Sequence, residues 1–155
     1  ARWPREWQAG ASAWLDGATE GGFTREVLSH FVFLAQRLCG PGTVADVQIE
    51  RRPGQAETRL QARLQLGAVA LHVDAAVAGD IADDNRFEVR CTRDRIALCQ
   101  WSQLDFGGVL HERVDATPAT LDGFARLLDG DADAGLATAD EALAVVRSIE
   151  ALLAG

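Results

Sequence analysis

The sequence predicts an α+β fold: a predominantly antiparallel sheet of about six strands with its helices packed on one face. Three observations predict it. Apolar residues recur at helical spacing over residues 23–38, short alternating segments broken by tight turns fill residues 44–114, and two more helical patterns close the chain. With 155 residues, of which 48% are hydrophobic and 25% charged, the chain holds enough apolar surface for one core, so residues 1–155 are expected to form a single domain.

The elements follow in order. Residues 1–22 scatter Trp3, Trp7 and Trp14 among small and polar side chains and end in the loop Asp16-Gly17-Ala18-Thr19-Glu20-Gly21-Gly22. Phe23, Val27, Phe31, Leu34 and Leu38 then mark one face of a helix, which Gly40-Pro41-Gly42 stops. From Val44 the period changes to two. Val47 and Ile49, then Leu60, Ala62, Leu64 and Leu66, then Val69, Leu71 and Val73 alternate with polar partners, as strands with one covered face do. Arg52-Pro53-Gly54-Gln55, Gly67, Gly79-Asp80, Asp83-Asp84-Asn85, Thr92-Arg93-Asp94 and Gly107-Gly108 supply the turns, and such short connections imply antiparallel pairing. Thr117-Pro118 predicts a cap and a first-turn proline ahead of Leu121, Phe124 and Leu128. Thr138-Ala139-Asp140-Glu141 predicts a capping box ahead of Leu143, Val146, Ile149 and Leu153.

Charge and composition exclude several functions. A formal charge of −8, from 23 acidic against 15 basic residues, argues against a nucleic-acid surface, which needs a basic stripe to neutralise phosphates. The apolar stretches at residues 31–35 and 142–146 are far shorter than the roughly 20 residues that span a bilayer, so no membrane partner is expected. Trp3, Glu6, Trp7 and Gln8 stand where a secretory signal needs an unbroken apolar core, and the expected location is cytoplasmic. Cys39, Cys91 and Cys99 are odd in number and lack C-x-x-C spacing, which fits reduced thiols rather than a disulfide framework or a metal site. Every basic residue is arginine, so the chain cannot supply lysine chemistry. This lysine-free, alanine- and arginine-rich composition matches a high-GC bacterial coding bias.

Glu26 and His30 stand four residues apart on the first helix, where side chains share a face. A carboxylate in that position can orient an imidazole and raise its basicity, and the imidazole can then exchange a proton with a substrate hydroxyl. The same spacing also suits a surface pair, or a histidine at the edge of the core. Trp14, Trp101 and Arg25 are further candidate substrate contacts: the two rings as walls for a sugar-like ligand, Arg25 as a receptor for an anionic group. Core packing and a solvated helix start are the alternatives. Asp129-Gly130-Asp131-Ala132-Asp133 alternates carboxylates as a calcium loop does, but Ala134 replaces the turn glycine and Asp140 the closing glutamate, so no metal is assigned. No glycine cluster has nucleotide-binding spacing. No serine lies in a G-x-S-x-G elbow, and His72 and His111 fall in strand patterns, so nucleophilic hydrolysis is unsupported.

The run Gly21-Gly22-Phe23-Thr24-Arg25-Glu26-Val27-Leu28-Ser29-His30 resembles the segment that opens the carboxy-terminal domain of the Gfo/Idh/MocA oxidoreductases, usually G-G-x-x-x-D-x-x-x-H. The likeness continues through a long helix, the break at Gly40-Pro41, a strand meander, a helix over residues 121–128 and a final helix ending at Leu153. Together it covers residues 14–153. The resemblance implies the substrate-binding and oligomerisation half of an NAD(P)-dependent oxidoreductase acting on a sugar-like or other hydroxyl or carbonyl substrate. NAD or NADP would be bound mainly by an amino-terminal Rossmann half that these residues do not include, and the half alone would be inactive. It further implies that His30 exchanges the proton at the reacting carbon's oxygen, that Glu26 stands at the usual aspartate position with one extra methylene, and that the family's lysine belongs to the other half. A homodimer through the open face of the sheet is also implied. The alternative is a non-enzymatic α+β ligand-binding or dimerisation module.

Overall fold

The computed structural model describes residues 13–77, 85–112, 115–132 and 134–155. Trp3, Trp7, the turn signals at Gly79-Asp80 and Asp83-Asp84, and Asp133 lie outside the described residues. The chain divides into two compact units, the first holding residues up to 83 together with 139–155, the second residues 84–138.

In the first unit, a 3₁₀ turn (Ala13–Asp16) leads through the glycine-rich loop into a π-helical turn (Thr24–Leu28) and helix α1 (Ser29–Cys39). The helix stops at Gly40, as the sequence predicts, with the Gly40 amide donating to the Gln36 carbonyl at 2.7 Å. Strands β1 (Thr43–Arg51), β2 (Glu57–Leu66) and β3 (Val69–Ala76) form an antiparallel meander with β2 at its centre. A bulge in β1 around Asp46, whose φ is +52°, lets Asp46 reach Arg63 across the ladder at 3.3 Å. Alternation along β2 sends Leu60, Ala62, Leu64 and Leu66 to one face, and all four are buried. Two helices cover that core: α1, contributing Val32 and Ala35, and the closing helix of the chain (Ala139–Ala154), contributing Val145, Ile149, Leu152 and Leu153. Where these helices meet, the buried Gln36 side-chain amide donates to Ser148 Oγ at 2.7 Å.

The second unit is a four-stranded antiparallel meander, β4 (Arg86–Arg90), β5 (Arg95–Cys99), β6 (Gln103–Phe106) and β7 (Val109–His111), followed by helix α2 (Thr117–Leu128). The closing helix is therefore α3. Register sorts the side chains into two faces. Phe87, Leu98, Leu104 and His111 stand in one row and Val89, Ile96, Phe106 and Val109 in the next, while Arg86, Glu88, Arg90, Arg95 and Asp105 fall on the opposite face.

The α+β class and the antiparallel meander agree with the sequence reading. The division into strands differs: about six strands in one sheet were expected, and the described strands form one sheet of three and another of four. Alternation reveals that a segment is a strand but not which neighbour it pairs with, because every half-buried strand carries the same period. The helix α2 cap also differs. The residue before the helix is Ala116, which makes no side-chain cap, and the Thr117 amide instead donates to Asp115 Oδ1 at 2.9 Å.

One buried carboxylate joins the elements of the first unit. Glu57, 2% exposed at the start of β2, accepts the Thr24 amide at 2.7 Å and so caps the π turn from a distant part of the chain. Glu57→Ala should cost about 1–3 kcal/mol, because it leaves a buried N–H without an acceptor, and Glu57→Gln should cost less. Urea denaturation measures both; a loss no greater than that of Glu50→Ala on exposed β1 would remove the capping role.

Candidate functional site

The motif residues occupy the loop and the first turns that Glu57 holds. The 3₁₀ turn sends its carbonyls into the loop: Trp14 accepts the Gly17 amide and Leu15 the Gly22 amide, each at 2.9 Å. A side chain at Gly21 would collide with the Trp14 and Leu15 carbonyls. Gly22 has φ +103°, and a Cβ there would lie 2.6 Å from the Glu57 carboxylate. Both positions thus require glycine, one for close approach and one for conformation as well.

Arg25 is occupied by this architecture. Its Nη1 donates to the carbonyls of Ala18 and Gly21 at 3.2 and 3.0 Å, while Nε and Nη2 donate to the two Glu150 oxygens at 2.9 and 3.0 Å. The fork therefore ties the loop to α3 across a sequence separation of 125 residues, a use for which the rigid guanidinium is suited. Hydrogen bonds from Arg25 hold the Glu150 carboxyl below its ordinary value. The sequence offered no signal for Glu57 or Glu150: each is a solitary acid in a strand or helix pattern, and only folding gives it a partner.

Glu26 and His30 lie on adjacent turns, Glu26 half-buried in the π turn and His30 exposed near the start of α1. Glu26 makes no side-chain hydrogen bond or ion pair among the described residues, to His30 or to any other group. Trp14 lies on the 3₁₀ turn beside the loop and is about half exposed, at 47%. Trp101 belongs to the second unit, at the β5–β6 turn, where Gln100 and Trp101 both take positive φ, +50° and +62°. Left-handed backbone at two non-glycine residues costs about 1–3 kcal/mol each, and it fixes the direction of the tip.

Among the described residues no group of three or more His, Cys, Asp or Glu side chains is placed to hold a metal. In the aspartate-rich loop, Asp131 pairs with Arg126, whose Nε donates at 2.8 Å. No described helix is long and apolar enough to cross a membrane.

No family model matches the sequence, and neither does any curated protein. Among solved structures, the fold is that of part of an oxidoreductase from Thermotoga maritima, with a TM-score of 0.71 and 12% identity over 99% of this chain and 48% of that one. The chain spans about half the length of that oxidoreductase. What the two share is an α+β architecture.

Arg25→Ala should destabilise the protein by about 1–2 kcal/mol, a range that allows for solvent screening at Glu150. The ion-pair part of that loss depends on pH. Because the Glu150 carboxyl is lowered in the fold, the pair contributes fully above the ordinary glutamate range and is lost as pH falls through the lowered value. The stability gap between native protein and Arg25→Ala should therefore narrow on acidification. Urea denaturation at a series of pH values reads it, and a gap that stays constant into the acid range would mean that the ion pair contributes nothing.

Proposed function

We propose that the chain is the substrate-binding and dimerisation part of a longer NAD(P)-dependent oxidoreductase acting on a hydroxyl or carbonyl substrate of the sugar-like class. The observation that carries this reading is the fold likeness to about half of a solved oxidoreductase, with His30 exposed in the first turn of α1.

The dinucleotide does not fit the glycine-rich loop of this chain. Trp14 and Leu15 carbonyls fill the space at Gly21, and the Glu57 carboxylate lies against Gly22, where it would repel a pyrophosphate. NAD or NADP is assigned instead to another part of the longer polypeptide, and hydride transfer is the chemistry that cofactor would supply. Among this chain's residues, His30 exchanges the proton at the substrate oxygen, a task for which an exposed imidazole, able both to donate and to accept a proton, is suited. Glu26 is a positioning residue for His30 in this reading, through its charge on the adjacent turn. Arg25 acts indirectly by holding the loop, and Trp14, in the same unit as His30, is a candidate wall for the ligand.

Dimerisation is assigned to the apolar face of the β4–β7 sheet. Leu104, Phe106 and Val109 on that face are each more than two-fifths exposed, and an isologous pairing would remove the two apolar rows from water. A non-enzymatic dimerisation module is the second reading, favoured by the missing hydrogen bond between Glu26 and His30.

The coding sequence upstream of Ala1 should encode a strand followed by a glycine fingerprint; a start codon immediately before Ala1 would remove the oxidoreductase reading. In the full-length enzyme, His30→Ala should lower kcat by about 10²-fold or more with nicotinamide-dependent turnover as the readout, and unchanged turnover would take His30 out of the mechanism. Independently, Phe106→Glu with Val109→Asp should convert a dimer into a monomer by sedimentation, without loss of secondary structure. A native chain that sediments as a monomer at micromolar concentration would overturn the dimer assignment.

A further inference from the structure

The second unit carries a concentration of positive charge that the oxidoreductase reading does not use. Arg90-Cys91-Thr92-Arg93-Asp94-Arg95 places three of the chain's 15 basic residues within six positions, in a protein whose net charge is −8. The segment closes β4 onto β5 in a tight loop, in which the Cys91 amide donates to the Asp94 carbonyl at 2.8 Å. Beside it stands the β6–β7 turn, Gly107-Gly108, held to the first hairpin by the Gly107 amide donating to the Arg95 carbonyl at 3.2 Å. Between the two turns lies an open cleft of about 430 Å³, with Arg90, Arg93 and Arg95 along its walls and the two glycines leaving part of its surface free of side chains. That volume is in the range of small-molecule sites.

The arginines differ in how they are held. Glu88 accepts from Arg90 Nε at 2.5 Å and from Arg86 Nη2 at 2.6 Å, and Arg95 lies between Glu88 and Asp105, 3.6 Å from one and 3.3 Å from the other. Those hydrogen bonds, from Arg86 first and then Arg90, keep the Glu88 carboxyl well below the usual range, at about 2, so it remains an anion that orients its arginines near neutral pH. Arg93 has no hydrogen bond or ion pair among the described residues. The opposing charge in the cleft is Asp94, one of whose oxygens accepts the Arg95 amide at 2.8 Å. Arg90 and Arg95 are therefore held in place by Glu88 and Asp105, while Arg93 keeps its guanidinium unengaged by any acid among the described residues. The groups that hold Arg90 and Arg95 lie on the sheet face opposite the apolar rows, so covering those rows with a second copy leaves this face free.

We propose that this cleft binds a small, multiply charged anion of the phosphate class, received by Arg93 together with the preset Arg90 and Arg95. Guanidinium groups match the oxygens of such an anion in pairs, and Arg93 stands beside two arginines whose acids hold them in place, with its own donors available to a visiting anion. The site involves the second unit alone and does not depend on the oxidoreductase reading.

Inorganic pyrophosphate is the probe. At fixed ionic strength, calorimetric titration into the native protein should give saturable binding. Arg93→Ala should weaken it about tenfold or more, while Arg59→Ala, which removes an exposed arginine of the other unit, should not alter it. As a second readout, pyrophosphate should slow alkylation of the exposed Cys91 by iodoacetamide, followed by mass spectrometry at that residue, and should fail to do so in Arg93→Ala. No saturation by about 10 mM pyrophosphate, or equal binding by native and Arg93→Ala proteins of the same melting temperature, would overturn the proposal.

Discussion

The Glu57 carboxylate, buried at the start of β2, is the constraint on which the rest of the first unit depends. A polar group removed from water must be hydrogen-bonded, and Glu57 accepts the Thr24 amide at 2.7 Å. That single bond fixes where the helical run begins relative to the sheet. Once it is made, Gly22 can carry no side chain, the glycine loop must pass under the Trp14 and Leu15 carbonyls, and Arg25 points back at the loop and across to Glu150. His30 stands exposed in the first turn of α1, six residues after the anchored Thr24 amide.

The second unit is governed by a different constraint, the strict alternation of its strands. Two apolar rows stand on one face and a network of arginines and acids on the other. Neither face is a complete core. The apolar rows reach their edge at Leu104, Phe106 and Val109, which remain exposed, and α2 shows Leu121, Phe124 and Leu128 to solvent as well. The glycine-free turn at Gln100-Trp101 adds backbone strain at its tip.

The likeness to part of an oxidoreductase draws these features together without assigning chemistry to any one of them. Arg25, read from the sequence as a possible receptor for an anion, is a structural clasp. The arginines with capacity for an anion lie elsewhere, on the β4–β5 turn, which the sequence reading treated only as a connection. Folding thus redistributes roles among residues of the same chemical type.

The sequence by itself determined the α+β class, the helix that ends at Gly40, the meander of half-buried strands and the two closing helices. Each of these depends on a period of 3.6 or 2, or on a glycine or proline a few residues away, and backbone geometry expresses such signals locally. The tertiary structure alone decided the partition of the strands into sheets of three and four, the capping of Thr24 by Glu57 and the clasp of Arg25 on Glu150. The strand partition is invisible in the pattern because all half-buried strands share one period. The two contacts join residues 33 and 125 positions apart, and single acids with no local motif acquire their meaning only when packing brings a donor to them.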